Sequence, residues 1–107
     1  MKRFNVAWAA TARADLDDIV LYIADDNEAN ALRVAERIEV RAGTLKTLPG
    51  RGRVVPELHR LGLDAYREVI ERPWRILYRM DGDQVLVVSI LDGRRDLEHV
   101  LASRFLR

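Results

Sequence analysis

A chain of 107 residues suits one domain and leaves no room for two, so residues 1–107 are expected to fold as a single unit. With 49% hydrophobic and 33% charged residues the composition is that of a globular protein, and the net charge of +1 lacks the basic excess of proteins that grip nucleic acid through its phosphates. No cysteine is present, which excludes disulfides, thiolate nucleophiles and cysteine–zinc sites.

No apolar run approaches the roughly 20 residues needed to cross a bilayer, and no apolar segment follows the basic start Lys2-Arg3. Neither a membrane span nor a signal peptide is expected, and the location expected is the cytoplasm. Lys2 and Lys46 are the only lysines, so arginine supplies the other cations. Genome base composition explains that bias first, and the fit of guanidinium forks to carboxylates and phosphates second.

The first element is a strand over Arg3–Trp8, with Phe4, Val6 and Trp8 on one face. From Thr11, a plausible N-cap, the period changes. Ala12, Leu16, Ile19, Val20 and Ile23 form one helical stripe that Asp25-Asp26-Asn27 ends. The acidic positions Asp15, Asp17, Asp18, Asp25 and Asp26 read as a solvated face. A second helix is expected over Glu28–Leu48, on the stripe Leu32, Ala35, Ile38, Ala42, Leu45 and Leu48, stopped by Pro49-Gly50-Arg51-Gly52. So short a connection makes the two helices an antiparallel hairpin. Pro56 and Gly62 argue against a long regular element between Val54 and Leu63. Three strands follow, Tyr66–Glu71, Trp74–Met80 and Gln84–Leu91, separated by turns at Arg72-Pro73 and Asp81-Gly82. A short terminal helix carries Leu97, Val100, Leu101 and Phe105.

The resulting order is β-α-α-β-β-β-α. It is an α+β layout, with the helical hairpin on one face of a mainly antiparallel sheet. A two-residue turn at Asp81-Gly82 puts Ile76, Tyr78 and Met80 on one face with Val85, Val87 and Leu91. The opposite face then holds Arg75, Leu77, Arg79, Leu86, Val88, Ile90 and Asp92. Four large aliphatics there require a cover, either the C-terminal helix or a partner chain, and arginines around an apolar patch suit a partner.

Several stretches, in order, resemble the ParE/RelE superfamily of bacterial toxins. They are Phe4-Asn5-Val6-Ala7-Trp8 with Ala12-Arg13-Ala14-Asp15-Leu16, Leu48-Pro49-Gly50-Arg51-Gly52-Arg53, Tyr66-Arg67-Glu68-Val69-Ile70, Pro73-Trp74-Arg75-Ile76-Leu77-Tyr78-Arg79 and Leu91-Asp92-Gly93-Arg94-Arg95-Asp96-Leu97. The resemblance spans nearly the whole chain. It implies the toxin of a type II toxin–antitoxin pair, neutralised by a cognate antitoxin in a hetero-oligomer. The RelE-like branch cleaves messenger RNA on the ribosome, and the ParE-like branch is associated with inhibition of DNA gyrase.

RNA cleavage needs a base for the 2′-hydroxyl, an acid for the leaving oxygen and cations for the phosphorane. Glu57, Arg75 and Arg95 are the residues this alternative would use, with His59 as the other candidate base. The terminal histidine or tyrosine typical of the RelE-like branch is missing, since His99 is expected on a surface helix face and no tyrosine follows Arg95. The near-neutral charge points the same way. The expectation is therefore a non-enzymatic, ParE-like gyrase inhibitor that makes no sequence-specific nucleic-acid contact of its own, with a binding module that has lost toxicity as a third reading. Its partner-binding residues are expected among Arg67, Arg75, Leu77, Arg79, Leu86, Val88, Arg94, Arg95 and Phe105. No cofactor or metal is expected: Gly50-Arg51-Gly52 is too short for a phosphate loop, and Asp92 with Asp96 reads as a corner held by Arg94 or Arg95. Trp8 and Trp74 read as core or rim anchors.

Overall fold

The computed structural model describes residues 2–106. Strand β1, Asn5–Trp8, runs directly into helix α1, Ala10–Ala24. Ala9 is still tied to the sheet by its N–H to Val87 O (2.8 Å) and has an extended backbone. The helix starts on the next residue, so Thr11 lies inside its first turn and caps nothing. Helix α2, Glu28–Gly43, has a true cap: Asn27 Oδ1 accepts from Asn30 N at 2.9 Å. It ends earlier than expected. A 3₁₀ turn at Thr44–Lys46 follows, with Thr44 Oγ1 donating to Arg41 O (2.6 Å). The buried stripe of α2 is Ala31, Val34, Ile38 and Ala42, whereas Leu32 is 69% exposed. The first half of the helix is thus rotated by one residue from the expected stripe, and small Ala31 faces inward in place of Leu32.

A second 3₁₀ turn, Pro49–Arg51, leads to the two-residue strand β2, Arg53–Val54, and the one-turn helix α3, Pro56–His59. The turn is fastened from the sheet. The Tyr78 hydroxyl donates to Pro49 O and accepts from Gly52 N at 3.2 Å. A Cβ on Gly52 would collide with that hydroxyl and lie 2.6 Å from Glu68 O, so only glycine fits there.

Strands β3 (Tyr66–Glu71), β4 (Trp74–Asp81) and β5 (Gln84–Asp92) form the expected meander. The sheet order is β1-β5-β4-β3-β2, with β1 parallel to β5 and the other pairs antiparallel. Helix α4, Glu98–Phe105, completes the α+β fold.

One feature of the sheet changes which side chains share a face. Leu77 pairs with Ser89 but Tyr78 pairs with Val87, so Val88 is an extra residue in β5. Beyond this bulge every side chain changes side. Ile90 joins Ile76, Tyr78, Val85 and Val87 against α1 and α2, while Leu91 moves to the opposite face. The expected positions of Ile90 and Leu91 are therefore exchanged.

The second face is covered by the chain itself. Leu77 and Leu91 pack with Val55 and Leu58 around α3 and with Leu97 and Leu101 around α4. Val88, Tyr66 and Phe105 close the edge of this second core. The cover was expected from the terminal helix, a partner chain or both, yet α3, in the segment read as irregular, supplies part of it. Ala7, Leu86 and Arg79 lie in neighbouring strands in one row beyond that cover, outside both cores.

Candidate functional site

Beneath α3 lies a buried ion network. Arg75 projects from β4 and forks onto Glu57 of α3, Nη1 to Oε2 at 2.6 Å and Nη2 to Oε1 at 2.7 Å. Its Nε donates to Glu68 Oε1 on β3 (2.6 Å), and Glu68 Oε2 accepts from Arg53 Nε at 2.5 Å. Glu68 is 1% and Arg75 7% exposed. Two guanidinium groups thus meet two carboxylates, Arg75 from inside and Arg53 from an exposed side chain, so the buried carboxylate of Glu68 is fully paired. The hydrogen bonds from Arg75 hold the Glu57 carboxyl down to about 2, against the opposing effect of burial. Arg75 is shifted further above its ordinary value, chiefly by the same bonds.

This arrangement is poor equipment for proton transfer. A general base should titrate near the working pH and have a free lone pair aimed at substrate. Both oxygens of Glu57 are instead engaged by Arg75. Arg95 belongs to the exposed loop after β5, and Gly93, two residues before it, packs on the Arg75 stem. Of the three residues of the ribonuclease alternative, Glu57 and Arg75 are in contact and neutralise each other.

The proposed binding residues are dispersed. Arg75 and Leu77 are inside the protein, which removes them from any free surface. Val88 is half-buried at the second core. Arg67 points to the other face of the sheet, where Nη1 donates to Gly52 O at 2.8 Å. Leu86 and Arg79 stay half-exposed, and Phe105 meets the Tyr66 ring edge-on at 4.8 Å. Arg94 folds back on Asp92, Nε to Oδ1 at 3.0 Å and Nη2 to Oδ2 at 2.9 Å, which lowers the Asp92 carboxyl below its usual range. Asp96 accepts from Glu98 N (3.2 Å) at the start of α4 and so does not share that corner pair. His99 is exposed on α4.

Sequence reasoning missed a second cluster. Asp15 is buried, not solvated: its Oδ2 accepts from Ile90 N (3.0 Å) and Arg104 Nη1 (2.8 Å), and its Oδ1 from Arg104 Nη2 (2.9 Å). Arg104 Nη1 also reaches Ser89 Oγ at 3.1 Å. One carboxylate thus ties α1, the bulged end of β5 and α4. The signal was present, because Asp15 falls between Ala12 and Leu16 on the inward stripe.

This clasp lines a groove of about 790 Å³ between the helical hairpin and the end of the sheet with α4. Its walls include Ile19, Ile23, Val34, Trp74 and Ile90. Arg37, Arg94, Arg95 and Arg104 also line it, and Tyr22, 84% exposed, lies on its flank. Arg37 pairs with Glu71, Arg94 with Asp92 and Arg104 with Asp15, whereas Arg95 has no ion-pair partner among the described residues. Among the described residues no three histidine, aspartate or glutamate side chains are grouped to hold a metal ion, and no helix is long and apolar enough to cross a membrane.

Residues 6–97 match the family described as "ParE toxin of type II toxin-antitoxin system, parDE". The chain belongs to the ParE toxin family. Toxin ParE3 of Caulobacter vibrioides is 36% identical over 94 residues, which cover 84% of this chain and 87% of that one. A chain of the chromosomal ParDE toxin–antitoxin system of P. aeruginosa superposes with a TM-score of 0.71 at 22% identity, covering 84% of this chain and 96% of its own length. A chain of the RelBE2 toxin–antitoxin complex of Mycobacterium tuberculosis gives 0.60 at 23% identity, with 86% and 93% covered. The two structures share the fold with this ParE-family toxin, and the sequence match places it in the ParE branch.

Proposed function

We propose that this ParE-family toxin acts by binding DNA gyrase, performs no chemistry of its own, and is silenced by direct binding of a cognate antitoxin. The observation that carries the non-enzymatic part is the Glu57–Arg75 fork. It occupies the carboxylate that the ribonuclease reading offered as a base and holds it far below neutrality, while the other candidate, His59, is paired with Asp64. A net charge of +1 supports the same choice, since a protein that binds another protein needs no excess of cations to compete for RNA.

The antitoxin fits the groove between the hairpin and α4. An amphipathic helix laid there would bury its apolar stripe on Ile19, Ile23, Val34 and Trp74 and offer an acidic side chain to Arg95. Of the residues first considered, Arg94 and Arg95 border this groove, and Arg79, Leu86 and Phe105 belong to the opposite side. A gyrase target places the toxin in the cytoplasm, as one domain in a hetero-oligomer.

The test is to express the toxin without its partner while following messenger RNA integrity, and to assay purified gyrase with the purified chain. Loss of supercoiling or trapped gyrase–DNA cleavage complexes is expected. Cut transcripts with unaffected gyrase would overturn the proposal. Normal growth with neither effect would leave a binding module on the same fold.

A further inference from the structure

Three arginines at one end of the molecule are held differently from those of the ion network. Arg67 Nη1 donates to Gly52 O at 2.8 Å, and Arg41 Nε to Ile70 O at 3.2 Å. Arg51 Nη2 donates to the Thr44 hydroxyl, which itself donates to Arg41 O at 2.6 Å. Each guanidinium is thus oriented by a neutral acceptor. None of the three has an ion-pair partner among the described residues.

The three belong to one surface. Arg51 adjoins Gly52, the anchor of Arg67, and both positive charges act on the Tyr78 hydroxyl behind that loop. Thr44 links Arg51 to the last turn of α2, where Arg41 sits. Arg67 and the Ile70 carbonyl are three residues apart on β3, roughly 10 Å along the strand. The glutamates of β3 are already used, Glu68 by Arg53 and Arg75 and Glu71 by Arg37. An added strand is excluded as well. β2 covers Arg67 and Glu68, Arg41 holds the Ile70 carbonyl, and Arg37 Nη2 takes Arg72 O at 3.1 Å. An extended acidic peptide therefore has no ladder to join at this edge.

The other end of the helical hairpin is acidic. Asp25, Asp26 and Glu28 are exposed at its turn and have no ion-pair partner among the described residues. The 16 residues of α2, about 24 Å of helix, separate the two ends. That is about three Debye lengths at physiological salt, so the acidic end does not cancel the attraction of the cationic end for a polyanion. The net charge conceals this division, because +1 less the three arginine charges leaves −2.

We propose that Arg41, Arg51 and Arg67 form a site for the phosphate backbone of duplex DNA, contacted without regard to base sequence. Roughly 10 Å of surface spans about three phosphates of one strand, one for each guanidinium. A fork already oriented by a neutral oxygen loses little freedom when a phosphate takes its remaining N–H groups. Three contacts bind weakly alone, in keeping with a chain that lacks an overall basic excess. The contact is effective where the duplex is already held close. In naming that duplex as the segment bound to gyrase, the proposal rests on the gyrase reading.

The test uses the full chain and short fluorescent duplexes, read by anisotropy at low salt without gyrase. Two duplexes of unrelated sequence should bind equally, and the log of the binding constant should fall against log salt with a slope of about −2.7. A triple variant, Arg41→Gln with Arg51→Gln and Arg67→Gln, should bind roughly ten-fold or more weaker and flatten the slope toward zero. Arg79→Gln, on the other face of the sheet, should change neither. Arg51→Glu, at an exposed side chain, should weaken binding in the same direction and serves if the triple variant fails to fold. Four results would overturn the proposal: no binding at low salt, a slope that the variants leave unchanged, displacement by polyglutamate at a lower charge concentration than by unlabelled duplex, or tighter binding of single-stranded RNA than of duplex DNA. With no gyrase in the assay, such a failure leaves gyrase inhibition standing, and a toxin that binds the duplex but spares gyrase would overturn the gyrase reading alone.

Discussion

At the scale of single residues, the Glu57–Arg75 pair makes a pH prediction. The Glu57 carboxyl sits at about 2 in the folded protein against an ordinary 4.5. A lowered folded value means that the unfolded chain binds the proton more readily. The stabilisation is therefore complete above about 4.5 and lost as the pH falls through about 2. Glu57→Gln removes the titrating group while leaving an amide oxygen for the guanidinium. Its urea-unfolding free energy should fall less steeply than that of the parent across this window. Equal slopes would show that the pair does not persist in solution. Arg75 and Glu57 were picked out of the sequence by residue type and by the resemblance to ribonuclease members of the superfamily, and the structure places both at the same spot. What the sequence could not reveal was that they satisfy each other, because their contact forms only when α3 docks on β4. Asp15 is the reverse case. Its place on the inward stripe was readable, but aspartate-rich surroundings pointed to solvent, and Arg104, its partner, is distant in sequence.

At the scale of elements, α4 is an eight-residue helix, too short to be stable alone, so tertiary contacts must hold it. Leu97 and Leu101 anchor one side and the Arg104 clasp the other. Arg104→Ala leaves the buried Asp15 carboxylate with only the Ile90 amide and should cost about 1–3 kcal/mol. The loss should be local, with faster hydrogen exchange over residues 98–105 and little change in α2. Arg104→Lys keeps the charge but not the fork, and should fall between the two. Uniform loosening of the whole chain would contradict a local clasp. The elements themselves were largely legible, since stripes of period three to four mark the helices and Asp81-Gly82 marks the hairpin, although the turn itself is Gly82-Asp83, one residue later than expected, because Asp81 still pairs with Gln84. The bulge at Val88 was not. Val85 to Leu91 is apolar on both faces except at Ser89, so no alternation marks where the register slips. One-turn α3 was equally hidden, because a helix of that length carries no period.

At the scale of the whole molecule, two cores on one sheet account for how so small a chain holds buried charge. The hairpin closes one face, and α3 with α4 closes most of the other, with the ion network inside the second. A partner chain stood beside the terminal helix as an expected cover for that face because the aliphatics were counted without α3. This closure also separates the two modes of action. If Glu57 were a catalytic base, Glu57→Gln would lower RNA cleavage by about 10²–10⁴-fold, and toxicity with it. If toxicity comes from a binding surface, the same change acts only on a buried strut. At neutral pH the glutamine still accepts from Arg75, so the outer surface keeps its shape. Growth arrest by Glu57→Gln should then match the parent at equal protein level, and inhibition of gyrase supercoiling should be unchanged. Arg95→Glu supplies the contrast. It reverses the groove arginine that has no ion-pair partner among the described residues, leaves both cores intact, and should weaken antitoxin capture about ten-fold, as expected when a rim charge is turned against its partner. A toxin that loses arrest with Glu57→Gln but keeps its thermal midpoint would restore the ribonuclease reading.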